Sequence, residues 1–173
     1  MGKTLIVYFS RAGENYFRGD YRYVDVGNTE LAVRLMQKHL DADVLKLEMK
    51  EPYADDYMTC LDQAKADLKK HARPELLPFS ISPENYTDVI LAYPNYWGTI
   101  PMPVAAFLER YSWRGKTIYP LCTNEGSGMG SSERTILASA PGCYIKKGLS
   151  LIGSDVEKSE SVIVSWLKAG QLI

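Results

Sequence analysis

Three stretches of the chain set hydroxyl, amide and aromatic side chains among glycines. The first is Ser10-Arg11-Ala12-Gly13 together with the later Gly27-Asn28-Thr29-Glu30. Small and hydroxyl residues just ahead of a helix suit an anion. First-turn N–H groups point at it and Ser or Thr hydroxyls add donors. Taken alone, the stretch reads first as a helix N-cap at Asn28 or Thr29. The second is Tyr93-Pro94-Asn95-Tyr96-Trp97-Gly98-Thr99-Ile100-Pro101. Its rings can stack on a flat ligand or simply pack beneath the loop. The third is Thr123-Asn124-Glu125-Gly126-Ser127-Gly128-Met129-Gly130-Ser131-Ser132. Alternating glycines let backbone N–H groups approach a ligand closely. They also suit a flexible lead into an N-cap at Ser131 or Ser132.

Several other chemistries are disfavoured. Gly115-Lys116-Thr117 lacks the upstream glycine of a nucleotide-triphosphate loop, because position 110 is Arg. The third stretch lacks the last glycine of the dinucleotide fingerprint, because position 131 is Ser. His39 and His71 are far apart and show no metal spacing, and no metal is expected. Cys60, Cys122 and Cys143 are odd in number and widely spaced, so reduced thiols are expected. Cys122 borders the third stretch with no histidine expected near it, which points to a buried thiol rather than a nucleophile; no catalytic residue is assigned.

The elements that must position these stretches follow from the apolar pattern. Leu5 to Phe9, Val89 to Tyr93, Ile118 to Cys122 and Tyr144 to Ile152 are apolar runs that suit parallel strands covered on both faces. Val44 to Met49 partly alternates, as an edge strand does. Helical faces are carried by Leu31, Leu35, Met36 and Leu40, by Val104, Phe107, Leu108 and Tyr111, and by Val162, Ile163, Trp166 and Leu167. Tyr53 to His71 reads as a more polar helix, and 72–84 as a proline-bearing connector. The pattern is strand then helix throughout: a single α/β domain over 1–173, three layers deep, around a doubly wound parallel sheet. Pro120 falls inside a central strand, where an irregularity is expected. In such sheets a ligand lies beyond the strands' carboxyl ends, which is where all three stretches fall.

Together, "IVYFSRAG" with "GNTE", "YPNYWGTIPMPV" and "CTNEGSGMGSS" resemble the flavodoxin-like FMN-binding proteins, from Lys3 to about Gly170. The resemblance implies a five-stranded sheet of order 2-1-3-4-5 and FMN as cofactor. It implies that Ser10, Asn28 and Thr29 bind the phosphate, helped by N–H groups of Arg11, Ala12 and Glu30. Pro94, Asn95, Tyr96, Trp97 and Gly98 would hold the ring. Trp97 would cover one face of it, and the Gly98 peptide would turn toward its N5. Thr123 and the amides of Glu125, Gly126, Ser127 and Gly128 would meet its N1–O2 edge.

Two departures stand out. The phosphate loop is interrupted at about 14–26, with Gly19-Asp20, flanked by aromatic residues, read as the turn of an inserted hairpin near the cofactor, either a cover for the open flavin face or a surface hairpin that only shields the loop. The third loop has no aromatic to close the second ring face. The resemblance implies electron transfer through the flavin, with a redox partner protein or a small acceptor. The alternative is an NAD(P)H-dependent oxidoreductase acting on quinones. The net charge of -1 is weaker than the acidic balance of typical carriers, and it gives no basic stripe for nucleic acid. No bilayer-spanning run or leader is seen, so a cytoplasmic monomer or homodimer without membrane contact is expected.

Overall fold

The structure is a computed structural model, and it describes residues 3–173. β1 (Thr4–Tyr8) is buried along its whole length. Its side chains alternate between two cores. Leu5 and Val7 pack on one face of the sheet with Leu91, Phe107, Leu108 and Ile136. Ile6 and Tyr8 pack on the other with Ala32, Val33, Ile163 and Leu167. That two-sided burial is why the strand reads as a continuous apolar run.

After β1 come β2 (Gly13–Phe17) and β3 (Asp20–Val24), which pair antiparallel as a separate two-stranded sheet. Then follow α1 (Asn28–Gln37), β4 (Asp43–Lys46), α2 (Tyr57–Lys70), β5 (Asp88–Pro94), α3 (Met102–Leu108) and β6 (Thr117–Asn124). The chain ends with α4 (Ser132–Ser139), β7 (Tyr144–Ile145), β8 (Leu149–Ile152), a 3-10 segment at Gly153–Lys158 and α5 (Glu160–Ala169). α1 and α5 cover one face of the sheet, and α3 and α4 the other. Among the described residues no helix is long and apolar enough to cross a membrane.

The main sheet is parallel, with β4-β1-β5-β6 in order and both β7 and β8 on the far side of β6. It therefore has six strands rather than the expected five. With the hairpin set aside, the order is as expected up to β6, and the last strand is broken in two. Ile118 pairs with Ile145 and Leu121 with Leu149, so the edge carries one more residue than β6 does between these pairs. The break lies beside Pro120. Ile118 O accepts from Lys146 N at 2.9 Å, so the even-numbered residues of β6 present their backbone groups to this edge. Pro120 has no N–H to offer there. β6 itself stays continuous, and the expected irregularity falls on its neighbour.

The hairpin turn also differs by one residue from its expected place. Phe17 pairs with Asp20, which leaves Arg18-Gly19 as the turn. Both have positive φ, +48° and +95°, as a type I′ turn requires. Gly19 takes this at no steric cost, while Arg18 is a side-chain-bearing residue held in the left-handed region.

Candidate functional site

At the carboxyl ends of β1, β5 and β6 lie two adjoining cavities of about 310 and 260 Å³. Arg11, Asn15, Tyr57, Asn95, Tyr96 and Ser127 line both, so they form one groove. One end is polar and the other aromatic.

The polar end is built on the start of α1. Its N-cap is Gly27, which has no side-chain cap. Ser10 Oγ reaches across from the end of β1 and accepts the Glu30 N–H at 3.1 Å, which leaves its own proton free to donate. The fit is close. A Cβ on Gly27 would lie 2.4 Å from both Arg11 O and Ser10 Oγ, so only glycine is tolerated. Asn28 and Thr29 line the cavity, with Thr29 almost fully buried. The Thr29 hydroxyl is engaged with that of Thr123 at 2.8 Å. What Thr29 can offer a ligand is therefore chiefly its backbone N–H. Ala12 and Glu30 do not line this groove.

Arg11 lines the groove, but its guanidinium is turned to backbone carbonyls. Nε and Nη2 donate to Ala54 O at 3.1 and 2.6 Å, Nη1 donates to Glu14 O at 2.5 Å, and Nη2 also donates to Asp55 O. A fork that makes four hydrogen bonds to three carbonyls ties the first loop to the segment entering α2. Through that tie Tyr57, the first residue of α2, comes to the groove.

The aromatic end is walled by Tyr57, Cys60, Ala64, Tyr96 and Trp97. Trp97 has φ +56° and is partly exposed; its indole N–H donates to Leu61 O at 2.9 Å, and Lys65 Nζ lies 4.7 Å from its ring. Gly98 lines this end too, but both its backbone groups are engaged. Its N–H donates to Asn95 Oδ1 at 2.8 Å, and its carbonyl accepts from Ser131 N at 2.7 Å. Burial pushes the Tyr57 and Tyr96 hydroxyls and the Cys60 thiol up, with the Arg11 charge partly opposing it at all three. All three stay protonated at neutral pH.

The third loop contributes Thr123, Asn124, Glu125 and Ser127 to the groove, and Pro94 joins from β5. Gly126 and Gly128 do not line it. Their N–H groups donate to Asn124 Oδ1 at 2.9 and 3.0 Å. Glu125 Oε1 accepts from Ser154 N at 2.7 Å, while its Oε2 is buried without a hydrogen-bond partner among the described residues.

The residues that sequence reasoning did not place at the site are Asn15, Tyr16, Tyr57, Cys60, Leu61, Ala64, Asn124 and Gly153. Asn15 and Tyr16 belong to the insertion whose aromatics were the signal for a cover. Nothing in the pattern of α2 sets Tyr57 or Cys60 apart from a surface helix.

A doubly wound sheet with a groove beyond the carboxyl ends of its strands, hydroxyl- and amide-lined at one end and ring-lined at the other, defines a protein of the doubly wound α/β class, in which ligands lie at this place. The comparisons narrow the class. The flavodoxin family profile matches residues 21–169, and the chain belongs to that family. A candidate flavoprotein from Bacteroides eggerthii has a similar structure, with TM-score 0.77 at 23% identity over 98% of each chain. One from Bacteroides uniformis gives 0.74 at 23% identity, over 96% of this chain and 98% of that one. A flavoprotein from Lactobacillus acidophilus, solved in complex with FMN, gives 0.62 at 18% identity over 91% and 98%. At these identities the likeness is one of fold. No curated protein sequence matches the chain.

Proposed function

We propose that the groove binds FMN and that the protein transfers electrons through it. The observation that carries the reading is the convergence of the three loops on one groove, with the start of α1 and the Ser10 hydroxyl that caps it at one end and Trp97 at the other. Ser10 and the Asn28 and Thr29 N–H groups would hold the phosphate without a required cation. Tyr57, Tyr96 and Trp97 would bound the ring. When bound, the flavin supplies the redox chemistry; the protein supplies binding, orientation and electrostatics. The titratable groups at the aromatic end, Tyr57, Cys60 and Tyr96, are all held in their neutral forms.

The test is to purify the protein, add FMN, and assay NAD(P)H oxidation with a quinone. The reading expects flavin absorption bands that remain with the protein after desalting, and no turnover above that of free FMN. Steady turnover would move the assignment to the oxidoreductase. A protein that retains no flavin would remove it altogether.

A further inference from the structure

The β2–β3 hairpin crosses the mouth of the polar cavity. At its base Glu14 N donates to Asp55 O at 3.0 Å, and Asn15 Nδ2 donates to Arg11 O at 3.2 Å. In its middle, Asn15 and Tyr16 line the cavity, and the Tyr16 ring stacks on Tyr57 at 6.1 Å between centroids. At its tip, Arg18 forms an ion pair with Asp155, which lies 137 residues further along the chain. Asp155 lies two residues past Gly153, which lines the same cavity. Lys158 also approaches Asp155, at 3.8 Å. The strap is thus tied at its base to the segment entering α2 and at its tip to the 3-10 segment that follows β8. The tie is made by a residue in the left-handed region, at φ +48°, a conformation that glycine would adopt with less strain. A hairpin serving only as a surface turn has no need of an arginine there.

We propose that this hairpin is a fourth wall of the cofactor site and that the Arg18–Asp155 pair is the clasp that sets how fast bound cofactor leaves. The proposal rests on the FMN reading above for its ligand. Asn15 and Tyr16 contact the ligand, while Arg18 and Asp155 act through the strap. Dissociation requires the tip to lift, so the ion pair opposes release without touching the flavin.

The experiment uses the full chain reconstituted with FMN. Dissociation is followed by the recovery of flavin fluorescence after dilution to well below the dissociation constant, where released FMN stays free. Two variants break the clasp differently. Arg18→Gly removes the charge and relieves the turn strain, so the hairpin itself still folds; Asp155→Asn removes the other partner. Each should speed dissociation about two- to fivefold, the range an exposed ion pair supports. The wild-type rate should rise toward theirs at about 1 M NaCl, where screening acts within about 3 Å. Unchanged rates in both variants would overturn the proposal.

A second readout needs no flavin. Asp155→Asn in the flavin-free protein should raise amide hydrogen exchange over residues 13–24. If FMN does not bind at all, the cofactor reading fails, and the strap is judged by this exchange alone. Unchanged exchange there overturns it.

Discussion

Ser10 Oγ accepts the backbone N–H of Glu30 at 3.1 Å, joining two ends of a loop that lie twenty residues apart. The hydroxyl thereby occupies the place of a helix cap at the start of α1, although it belongs to the end of β1. The loop proposed to hold the phosphate is split in sequence but whole in space, with the β2–β3 hairpin between its two halves.

Gly27 is the closest point of that junction. Its φ is -71°, so backbone strain is not the issue; space is. Gly27→Ala would drive Cβ to 2.4 Å from Arg11 O and Ser10 Oγ. Overpacking of this kind costs about 1–3 kcal/mol. The expected outcome is a lower midpoint in thermal denaturation together with FMN affinity weakened at least tenfold. Unchanged affinity would show that the cradle is not where the phosphate sits.

Arg11→Lys keeps the charge and loses the fork. A single ammonium cannot serve the carbonyls of Glu14, Ala54 and Asp55 together. A loss of about 1–3 kcal/mol in urea unfolding is expected. A variant as stable as the parent would contradict the assigned tie between the first loop and α2.

Trp97 is the one tryptophan of the groove; Trp113 is in the core, and Trp166 lies on α5 and packs against the core on that face of the sheet. FMN binding should quench tryptophan emission mainly through Trp97. Trp97→Phe should abolish most of the quenching and weaken binding, while Trp166→Phe leaves both intact. Quenching that survives Trp97→Phe would place the ring elsewhere.

Alkaline pH should destabilise the fold. Burial pushes Tyr8, Tyr119 and the Cys122 thiol up to about 12, from ordinary values of 10.0 for the phenols and 9.0 for the thiol. The folded chain then keeps protons that the unfolded chain releases, and linkage makes stability fall as pH rises. This contribution is whole below pH 9 and is lost between about 9 and 12. The urea midpoint should therefore hold to pH 9 and drop above it, and Tyr8→Phe should shallow the drop above pH 10. A midpoint that rises with pH in this window would contradict the burial.

Much of the fold was legible because both faces of the sheet are covered. Strands such as Leu5 to Phe9 and Val89 to Tyr93 then announce themselves as apolar runs. The broken edge was not legible: Pro120 signals a missing donor, but not which neighbour loses it. The site's loops could be read because strand ends are fixed by topology. The roles of single groups within them could not. Nothing local says that the Gly126 and Gly128 amides turn to Asn124, that Arg11 serves carbonyls, or that Thr29 turns to Thr123. Tyr57 was hidden because it reaches the groove through the Arg11 tie, a contact made 43 and 44 residues away in sequence.

The central claim is that the groove is an FMN site, and a direct test is titration of the flavin-free protein with FMN, read by flavin fluorescence, alongside riboflavin. A cradle built on Ser10 and the start of α1 predicts saturable quenching by FMN and binding of riboflavin weaker by at least tenfold. Equal affinity for the two would deny the phosphate site. No quenching by either would contradict the account.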